Sequence, residues 1–147
     1  MPKEFAKFWI TQAGMIIKDN KCLVVEFADR PGAWDIPGGR IDVGEEENSE
    51  ESFRREIKEE LGIDSFDIVD LVAYDIWMGY KGPQGVCALI FLIDNPNTYD
   101  IKLSEEHISY KWISEDEIKE EFFWPGATKM LKKGFQRYRE LKNKKDE

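Results

Sequence analysis

Apolar residues in the first part of the chain fall into two runs that predict β-strands. Phe5 to Lys18 and Lys21 to Phe27 are rich in β-branched and aromatic residues, and only Asp19-Asn20 separates them. Two such runs around a short polar break are typical of strands joined by a turn. Residues 34–44 contain too much glycine and proline for a regular element, so a loop is expected there.

Three later runs also predict strands. These are Asp67 to Trp77, Val86 to Ile93 and His107 to Ile113. The run from Val86 is apolar throughout, as expected of a strand that is buried on both faces. The intervening segment 79–85 carries three glycines and a proline, which favours a hairpin loop or flap.

The period changes to that of a helix between Ser49 and Leu61. Apolar residues recur there every four positions, which is the spacing of one helical face. Asn48 is a candidate N-cap with Glu51 at the capping-box position, and Gly62 is a helix stop. The apolar face consists of Phe53, Ile57 and Leu61.

Two more helices are predicted near the end of the chain. One runs from Ser114 to about Glu121, with Glu117 in a capping-box position, and the other from about Thr128 to Leu141. Strands, a helix, more strands and then helices indicate an α/β domain with a mixed sheet between helical layers. A length of 147 residues predicts one domain over 1–147, and 41% hydrophobic residues suffice for its core.

The apolar runs and the cysteines indicate the cellular compartment of the protein. The longest apolar run has eight residues, too short to cross a membrane, and the first residues offer no signal-peptide core. Cys22 and Cys87 lie in strand-like runs without metal-ligand spacing, so both are predicted to be buried in a reducing compartment. The sequence therefore predicts a cytoplasmic protein.

The net charge is -9, and it is unevenly distributed. Residues 129–147 carry +5, and residues 39–63 carry -5. An acidic protein is a poor match for polyanions, so neither a nucleic-acid polymer nor an anionic membrane is expected as a partner. The basic residues of the last helix are expected to form a solvated face, with binding of a partner as the alternative.

Carboxylates converge on the predicted Ser49 to Leu61 helix. Glu56, Glu59 and Glu60 are related as i, i+3 and i+4, so they share one sector of the helix. A solvated acidic face is one interpretation. The glycine pair that ends at Gly39 favours another, because its backbone can approach a ligand closely and clustered oxygens suit Mg²⁺ or Mn²⁺.

The whole segment resembles the signature of the Nudix hydrolases, G-x5-E-x7-R-E-U-x-E-E-x-G-U, in which U is a bulky aliphatic residue. The second half matches without exception from Arg55 to Ile63, and Glu47 stands eight residues before Arg55. Seven residues instead of five separate Gly39 from Glu47, which predicts a two-residue insertion between them. Glu45 satisfies the first spacing but not the second.

The resemblance implies an α/β/α sandwich and roles for individual residues. Glu56, Glu59 and Glu60 would bind Mg²⁺ or Mn²⁺, with the Gly39 carbonyl as a further ligand. Arg55 would orient the glutamates and Glu47 would pair with Arg55, or both would be ordinary surface ion pairs. Gly62 completes the signature.

Further segments resemble the family outside the signature. The loop that ends at His107 is similar to an element whose glutamate reaches the metals or the attacking water, and Glu106 is the candidate for that role. His107 itself is predicted to be structural. The segment from Phe123 to Gly126 resembles one that walls the base pocket.

The implied reaction is the metal-dependent hydrolysis of a nucleoside diphosphate linked to another group, with Glu56 or Glu106 accepting the proton of the attacking water. Arg30 and Arg40 are candidates for phosphate contacts or are solvated charges. Rings that would stack on a base or fill the core are Trp34, Trp77 and Tyr80.

The substrate is ranked by resemblance. The proline typical of ADP-ribose hydrolases is missing 15 or 16 residues beyond the signature, where Met78 and Gly79 stand. Tyr80 occupies the position of a tyrosine common in dinucleoside polyphosphate hydrolases. A compact chain looks most like MutT-type nucleoside triphosphate pyrophosphatases, acting as a monomer or homodimer. A Nudix-fold protein that binds nucleotides without turnover is the alternative from another class.

Overall fold

The structure is a computed structural model that describes residues 2–80, 82–119, 124 and 126–146, apart from the side chains of residues 79 and 80. Seven strands and two α-helices follow one another along these residues. In chain order they are β1 (Phe8–Lys18), β2 (Lys21–Phe27), β3 (Trp34–Asp35), β4 (Gly38–Arg40), α1 (Ser49–Leu61), β5 (Asp67–Tyr80), β6 (Gln84–Asp94), β7 (His107–Ile113) and α2 (Ala127–Lys145).

The predicted first hairpin is confirmed. β1 and β2 pair antiparallel with Lys18 opposite Lys21. The two residues between them, Asp19 and Asn20, both have positive φ. Such a two-residue turn matches the right-handed twist of the flanking strands, and asparagine and aspartate tolerate it better than most residues.

The sheet is mixed, as the pattern of elements predicts. Its strands follow the order β3-β2-β1-β6-β5, with β4 paired to β1 and β7 paired to β2. β1 and β6 run parallel, and the other pairs run antiparallel. The long central pair of β1 and β6 holds both halves of the molecule together.

The two helices cover opposite faces of this sheet. A Cβ placed on Gly14 in β1 would lie 3.2 Å from Phe53 on α1. The next residue of β1, Met15, contacts α2 at Gly134. Because successive residues of a strand point to opposite faces, the fold is an α/β/α sandwich with two buried cores.

Four predicted elements differ from the structure in their extent. The first strand begins at Phe8 instead of Phe5, and β5 and β6 run to Tyr80 and from Gln84, so the connecting loop is shorter than expected. The last helix spans Ala127–Lys145. Strand pairing and helix packing, and not local composition alone, determine where these elements begin and end.

The segment 34–44 forms two short strands and not only a loop. Trp34 and Asp35 pair with β2, while the three residues of β4 pair with β1. Their partners lie far from any local sequence window, which is why glycine and proline content alone predicts a loop there.

The predicted helix from Ser114 is a single 3₁₀ turn over Glu115–Glu117. The capping box of Ser114 and Glu117 is present, but Ile118 is extended and packs against the core beneath α2. Glu120 and Glu121, which the prediction included, lie outside the described residues.

Two further expectations are wrong in detail. The Asn48 side chain forms no capping hydrogen bond, so the predicted capping box with Glu51 is absent from α1. Gly62 does end the helix in a left-handed conformation. Cys22 is buried, but Cys87 is only partly buried.

In the part of the chain that is described, no helix is long and apolar enough to span a membrane.

Candidate functional site

One cleft of about 700 Å³ brings together residues from most of the predicted site. Its floor is formed by small and aliphatic residues of β1 and β6, including Ala13, Val86, Ala88 and Ile90. Acidic residues lie in the lining near the glycine pair, namely Glu56, Glu60 and Glu106. Aromatic residues in the same lining are Phe27, Trp34, Trp77 and Trp124.

Glu60 is the most deeply buried acid of α1, at 6% exposure. The backbone N–H of Gly38 donates a hydrogen bond of 2.9 Å to its Oε2. Burial raises the pKa of Glu60 to about 8, and the negative charges of Glu56 and Glu106 act in the same direction. No basic side chain of the described residues forms an ion pair with Glu60.

Glu56 lies one turn earlier on α1 and is partly buried against the glycine pair. A Cβ added to Gly39 would lie only 2.6 Å from the Glu56 carboxyl carbon. Burial and then the charge of Glu59 raise the Glu56 pKa, although Arg55 opposes this shift. Glycine at position 39 therefore allows the backbone and this carboxylate to approach closely.

Glu59 differs from its two neighbours. Its side chain is 60% exposed, and its Oε1 lies 3.6 Å from Nε of Arg55. Arg55 also contacts Glu56, with Nη2 3.5 Å from Oε1. Arg55 therefore contacts two of the three glutamates that it is predicted to orient, Glu56 and Glu59.

The predicted pairing of Glu47 with Arg55 is wrong. Arg55 Nη1 instead donates a short hydrogen bond to Glu45 Oε2. Glu45 Oε1 also accepts bonds from the Asp42 backbone and the Ser52 hydroxyl. The hydrogen bond from Arg55 is the largest of the effects that lower the Glu45 pKa to about 2. Glu47 is exposed and has no polar partner within the described part of the chain.

The pairing of Arg55 with Glu45 places the two-residue insertion later in the signature than predicted. Five residues separate Gly39 from Glu45, so the first half of the signature has its ordinary length. The extra residues lie between Glu45 and Arg55, and one turn occurs on either side of Glu45. The Glu45 N–H bonds to the Asp42 carbonyl, and the Asn48 N–H bonds to the Glu45 carbonyl. The second turn projects Glu46 and Glu47 into solvent.

Glu106 and His107 lie at the start of β7. Glu106 lines the cleft, and its charge contributes to the raised pKa values of Glu56 and Glu60. His107 is buried at 7% exposure with its ring centroid 5.6 Å from that of Phe27. Burial lowers the His107 pKa, so the imidazole is neutral near pH 7, in keeping with a structural role.

Asp35 lies at the aromatic end of the cleft, and the sequence analysis assigns no role to it. The Trp124 indole N–H donates a hydrogen bond of 2.6 Å to Asp35 Oδ1, and the Trp124 ring stacks on Trp77 at 4.5 Å. Burial raises the Asp35 pKa to about 6. The available signal is a carboxylate at position 35, three residues before the first glycine of the pair.

Of the other predicted binding residues, three line the cleft and the side chain of the fourth is not described. Trp34, Arg30 and Arg40 line the cleft, but both guanidinium groups lie over aromatic rings, of Phe27 at 4.8 Å and of Trp9 at 4.7 Å. The Tyr80 side chain lies outside the described residues, as do Phe123 and Pro125. Trp124 of the same predicted wall does line the cleft.

The predicted metal ligands do not form a complete coordination site. Among the residues described, no three acidic, histidine or cysteine side chains are placed to hold a metal ion together. Glu59 is largely exposed and contacts Arg55, while Glu56 and Glu60 line the cleft. The donors present there are oxygens, which suit hard divalent cations.

Fold and cleft together define an α/β/α sandwich protein with an acidic helix along one side of its cleft. The model of the NUDIX domain family matches residues 10–134. The chain therefore belongs to the Nudix family, as the resemblance of its signature predicts.

Three known proteins illustrate the similarity. The chain is 31% identical over 97 residues to the bis(5'-nucleosyl)-tetraphosphatase [asymmetrical] of Rattus norvegicus, with 65% of each protein covered. It is 28% identical over 124 residues to a MutT-like protein of Streptomyces ambofaciens, covering 83% of this chain and 74% of that protein. The chain thus spans just under two thirds of the length of the rat relative.

The fold matches that of a MutT NUDIX hydrolase from Burkholderia pseudomallei. The TM-score is 0.72 at 21% identity, covering 87% of this chain and 98% of that one. The likeness confirms the predicted Nudix fold.

Proposed function

We propose that this protein is a divalent-metal-dependent hydrolase of nucleoside diphosphate-linked compounds. The observation that carries the proposal is that one cleft is lined by glutamates, of which Glu60 is buried and Glu56 partly buried, and by aromatic rings. The acidic end suits cation-assisted phosphate chemistry, and the aromatic end suits a planar base. Membership of the Nudix family supports the same reaction class.

The residues of the acidic end fit a divalent cation. Glu56 and Glu60 bring carboxylate oxygens into the cleft, and burial, followed by the negative charge of neighbouring acids, raises the pKa of both. These two residues would hold Mg²⁺ or Mn²⁺, with Glu59 and the Gly39 carbonyl as further ligands. When bound, the cation neutralises phosphate charge and lowers the pKa of water.

The remaining chemistry falls to side chains. Glu56 or Glu106 accepts a proton from the water that attacks phosphorus, while the bond from phosphorus to the leaving phosphate oxygen breaks. Arg55 acts as a positioning residue, because it contacts both Glu56 and Glu59 while Glu45 fixes its other side. Arg30 and Arg40 are the proposed phosphate contacts.

The substrate ranked first is a nucleoside triphosphate, cleaved to the monophosphate and pyrophosphate. The likeness to a MutT-like protein over most of both chains supports this order. The rat tetraphosphatase supports a dinucleoside polyphosphate as the second candidate. A nucleotide sugar such as ADP-ribose ranks third.

The test is a hydrolysis panel. Nucleoside triphosphates, dinucleoside tetraphosphates and ADP-ribose are incubated with the protein and Mg²⁺ or Mn²⁺, and the products are separated by anion-exchange chromatography. Release of a monophosphate that requires the cation supports the proposal. If no compound is cleaved although nucleotides bind, the protein is the binding module of the alternative hypothesis.

A further inference from the structure

We propose that Asp35 is a specificity-determining residue of the cleft, which accepts N–H hydrogen bonds from a base edge carrying adjacent donors, as guanine does. The inference rests on the proposed function, since it names the base of that nucleotide substrate. It starts from the hydrogen-bonding of a single carboxylate.

Both recorded hydrogen bonds to Asp35 fall on one oxygen. The Trp124 indole N–H and the Ile36 backbone N–H donate to Oδ1 at 2.6 and 2.8 Å. Among the described residues, none donates to Oδ2. Asp35 is partly accessible and lines the cleft, and Oδ2 is not one of the fully buried atoms without a partner. The side chain is thus fixed through Oδ1, and Oδ2 remains an acceptor for a ligand.

The surroundings of Asp35 suit a planar ring. Trp124 is held both by this hydrogen bond and by stacking on Trp77 at an interplanar angle of 15°. Trp34, the neighbour of Asp35 in β3, also lines the cleft. The small side chains of Ala13 and Ala88 leave room above the sheet between these walls. A heterocycle in this space would present its edge to Asp35.

The carboxylate restricts which edge is acceptable. An ionised carboxylate only accepts hydrogen bonds, and the Asp35 pKa of about 6 leaves it ionised at pH 7.5. Guanine presents its N1–H and its 2-amino group side by side. Adenine and cytosine place a ring nitrogen acceptor beside the amino group, and uracil flanks its N–H with two carbonyls. Guanine therefore fits best and uracil worst.

A purely structural role for Asp35 would need only one of its two carboxylate oxygens. Anchoring Trp124 and the Ile36 backbone requires one acceptor, which Oδ1 provides. Keeping a charged group partly buried costs free energy, as the raised pKa shows, and a hydrogen-bonding ligand at Oδ2 would offset part of that cost.

The first test needs no variant. Binding of GMP and IMP is measured by isothermal titration calorimetry with chelator and then with Mg²⁺; IMP lacks only the 2-amino group. Loss of a hydrogen bond to a charged acceptor predicts roughly ten- to hundredfold weaker binding of IMP. Equal affinities, or no measurable binding of GMP, would overturn the inference.

The second test changes the acceptor. In Asp35→Asn the amide oxygen can keep the bonds from Trp124 and Ile36, which turns the amide NH₂ toward the ligand. The GMP to IMP affinity ratio should then fall to about one or below. Asp64→Asn removes the same charge outside the cleft lining and should keep the native ratio. A uniform loss for both ligands in Asp35→Asn would indicate a structural role only.

Failure of this inference differs from failure of the proposed function. Hydrolysis of GTP, ITP and UTP with equal kcat/KM would leave the reaction standing and remove the role of Asp35. A preference for GMP over IMP without hydrolysis of any nucleotide would leave the role of Asp35 standing and remove the reaction. If Asp35→Asn does not fold, the comparison of GMP with IMP on the native protein still decides.

Discussion

The two ends of the cleft are built in different ways. At the acidic end, Glu56 and Glu60 come from one helix and meet the adjacent glycine pair, so their relation is fixed by helical spacing. At the aromatic end, Asp35 and Trp124 are 89 residues apart in the chain and meet only through the sheet. The arrangement of Glu56 and Glu60 is therefore set locally, while the contact of Asp35 with Trp124 depends on the whole fold.

The strongest way to separate the two ends is to neutralise the acidic one. Glu60→Gln and Glu56→Gln should each lower kcat by roughly 10²- to 10⁴-fold, because they remove proposed metal ligands or the proton acceptor. The loss should be equal for all bases, in contrast to Asp35→Asn. Steady-state kinetics over the nucleotide panel provides the measurement.

Glu51→Gln is the matched control for these variants. Glu51 lies on α1 but is exposed, so its loss removes the same charge without touching the cleft. Its kcat should equal that of the native protein. Unchanged activity in both Glu56→Gln and Glu60→Gln would refute the proposed roles of these two acids.

A smaller effect is expected when the acidic end is displaced instead of removed. The methyl group of Gly39→Ala would meet the Glu56 carboxyl at 2.6 Å, so that side chain must move. Misplacement on this scale should lower kcat/KM about 10- to 100-fold, while circular dichroism shows an intact fold. At Gly82 an added Cβ meets nothing within 4 Å, and asparagine tolerates a positive φ better than most residues, so Gly82→Asn should leave the rate unchanged.

The signature glutamate can be identified by comparing two neighbours. Glu45→Gln weakens the bond that holds Arg55 and should lower kcat by about tenfold, since Arg55 positions Glu56 and Glu59. Glu47→Gln should have no effect on kcat. The opposite result would restore the fixed-spacing assignment of the signature.

The smallest expected effect is on stability. The Glu60 pKa lies at about 8 in the folded protein and near 4.5 when exposed, so the folded state binds its proton more tightly. Glu60 therefore destabilises the metal-free fold progressively as pH rises from about 4.5 to about 8. Thermal unfolding with chelator should show Glu60→Gln gaining Tm relative to the native protein over that interval. A Tm difference independent of pH would contradict this.

The contrast between the two ends explains what the sequence could predict. The hairpin, the mixed sheet and α1 follow from periodicities within a few residues, and the structure confirms them. Asp35 was missed because its partner Trp124 is distant in sequence and no spacing rule links them. The helix expected after Ser114 failed because Ile118 takes an extended conformation to reach the core, a tertiary effect that propensity does not include.

The glutamate of the signature was misassigned for a related reason. Counting residues back from Arg55 assumes a constant loop, but the chain places an additional turn before α1. Hydrogen bonds from Ser52 and Asp42 hold Glu45 where Arg55 can reach it. Spatial contact, and not the residue count, determines which glutamate pairs with Arg55.

The additional turn before α1 also suggests where the molecule tolerates redesign. The long, flexible arginine side chain bridges from the helix to Glu45, so the loop between them can change in length while the ion pair survives. Loop closure costs little free energy per added residue. The exposed residues 46 and 47 are therefore a suitable place to graft a peptide tag or a fluorescent reporter close to the cleft without disturbing the helix that carries its acids.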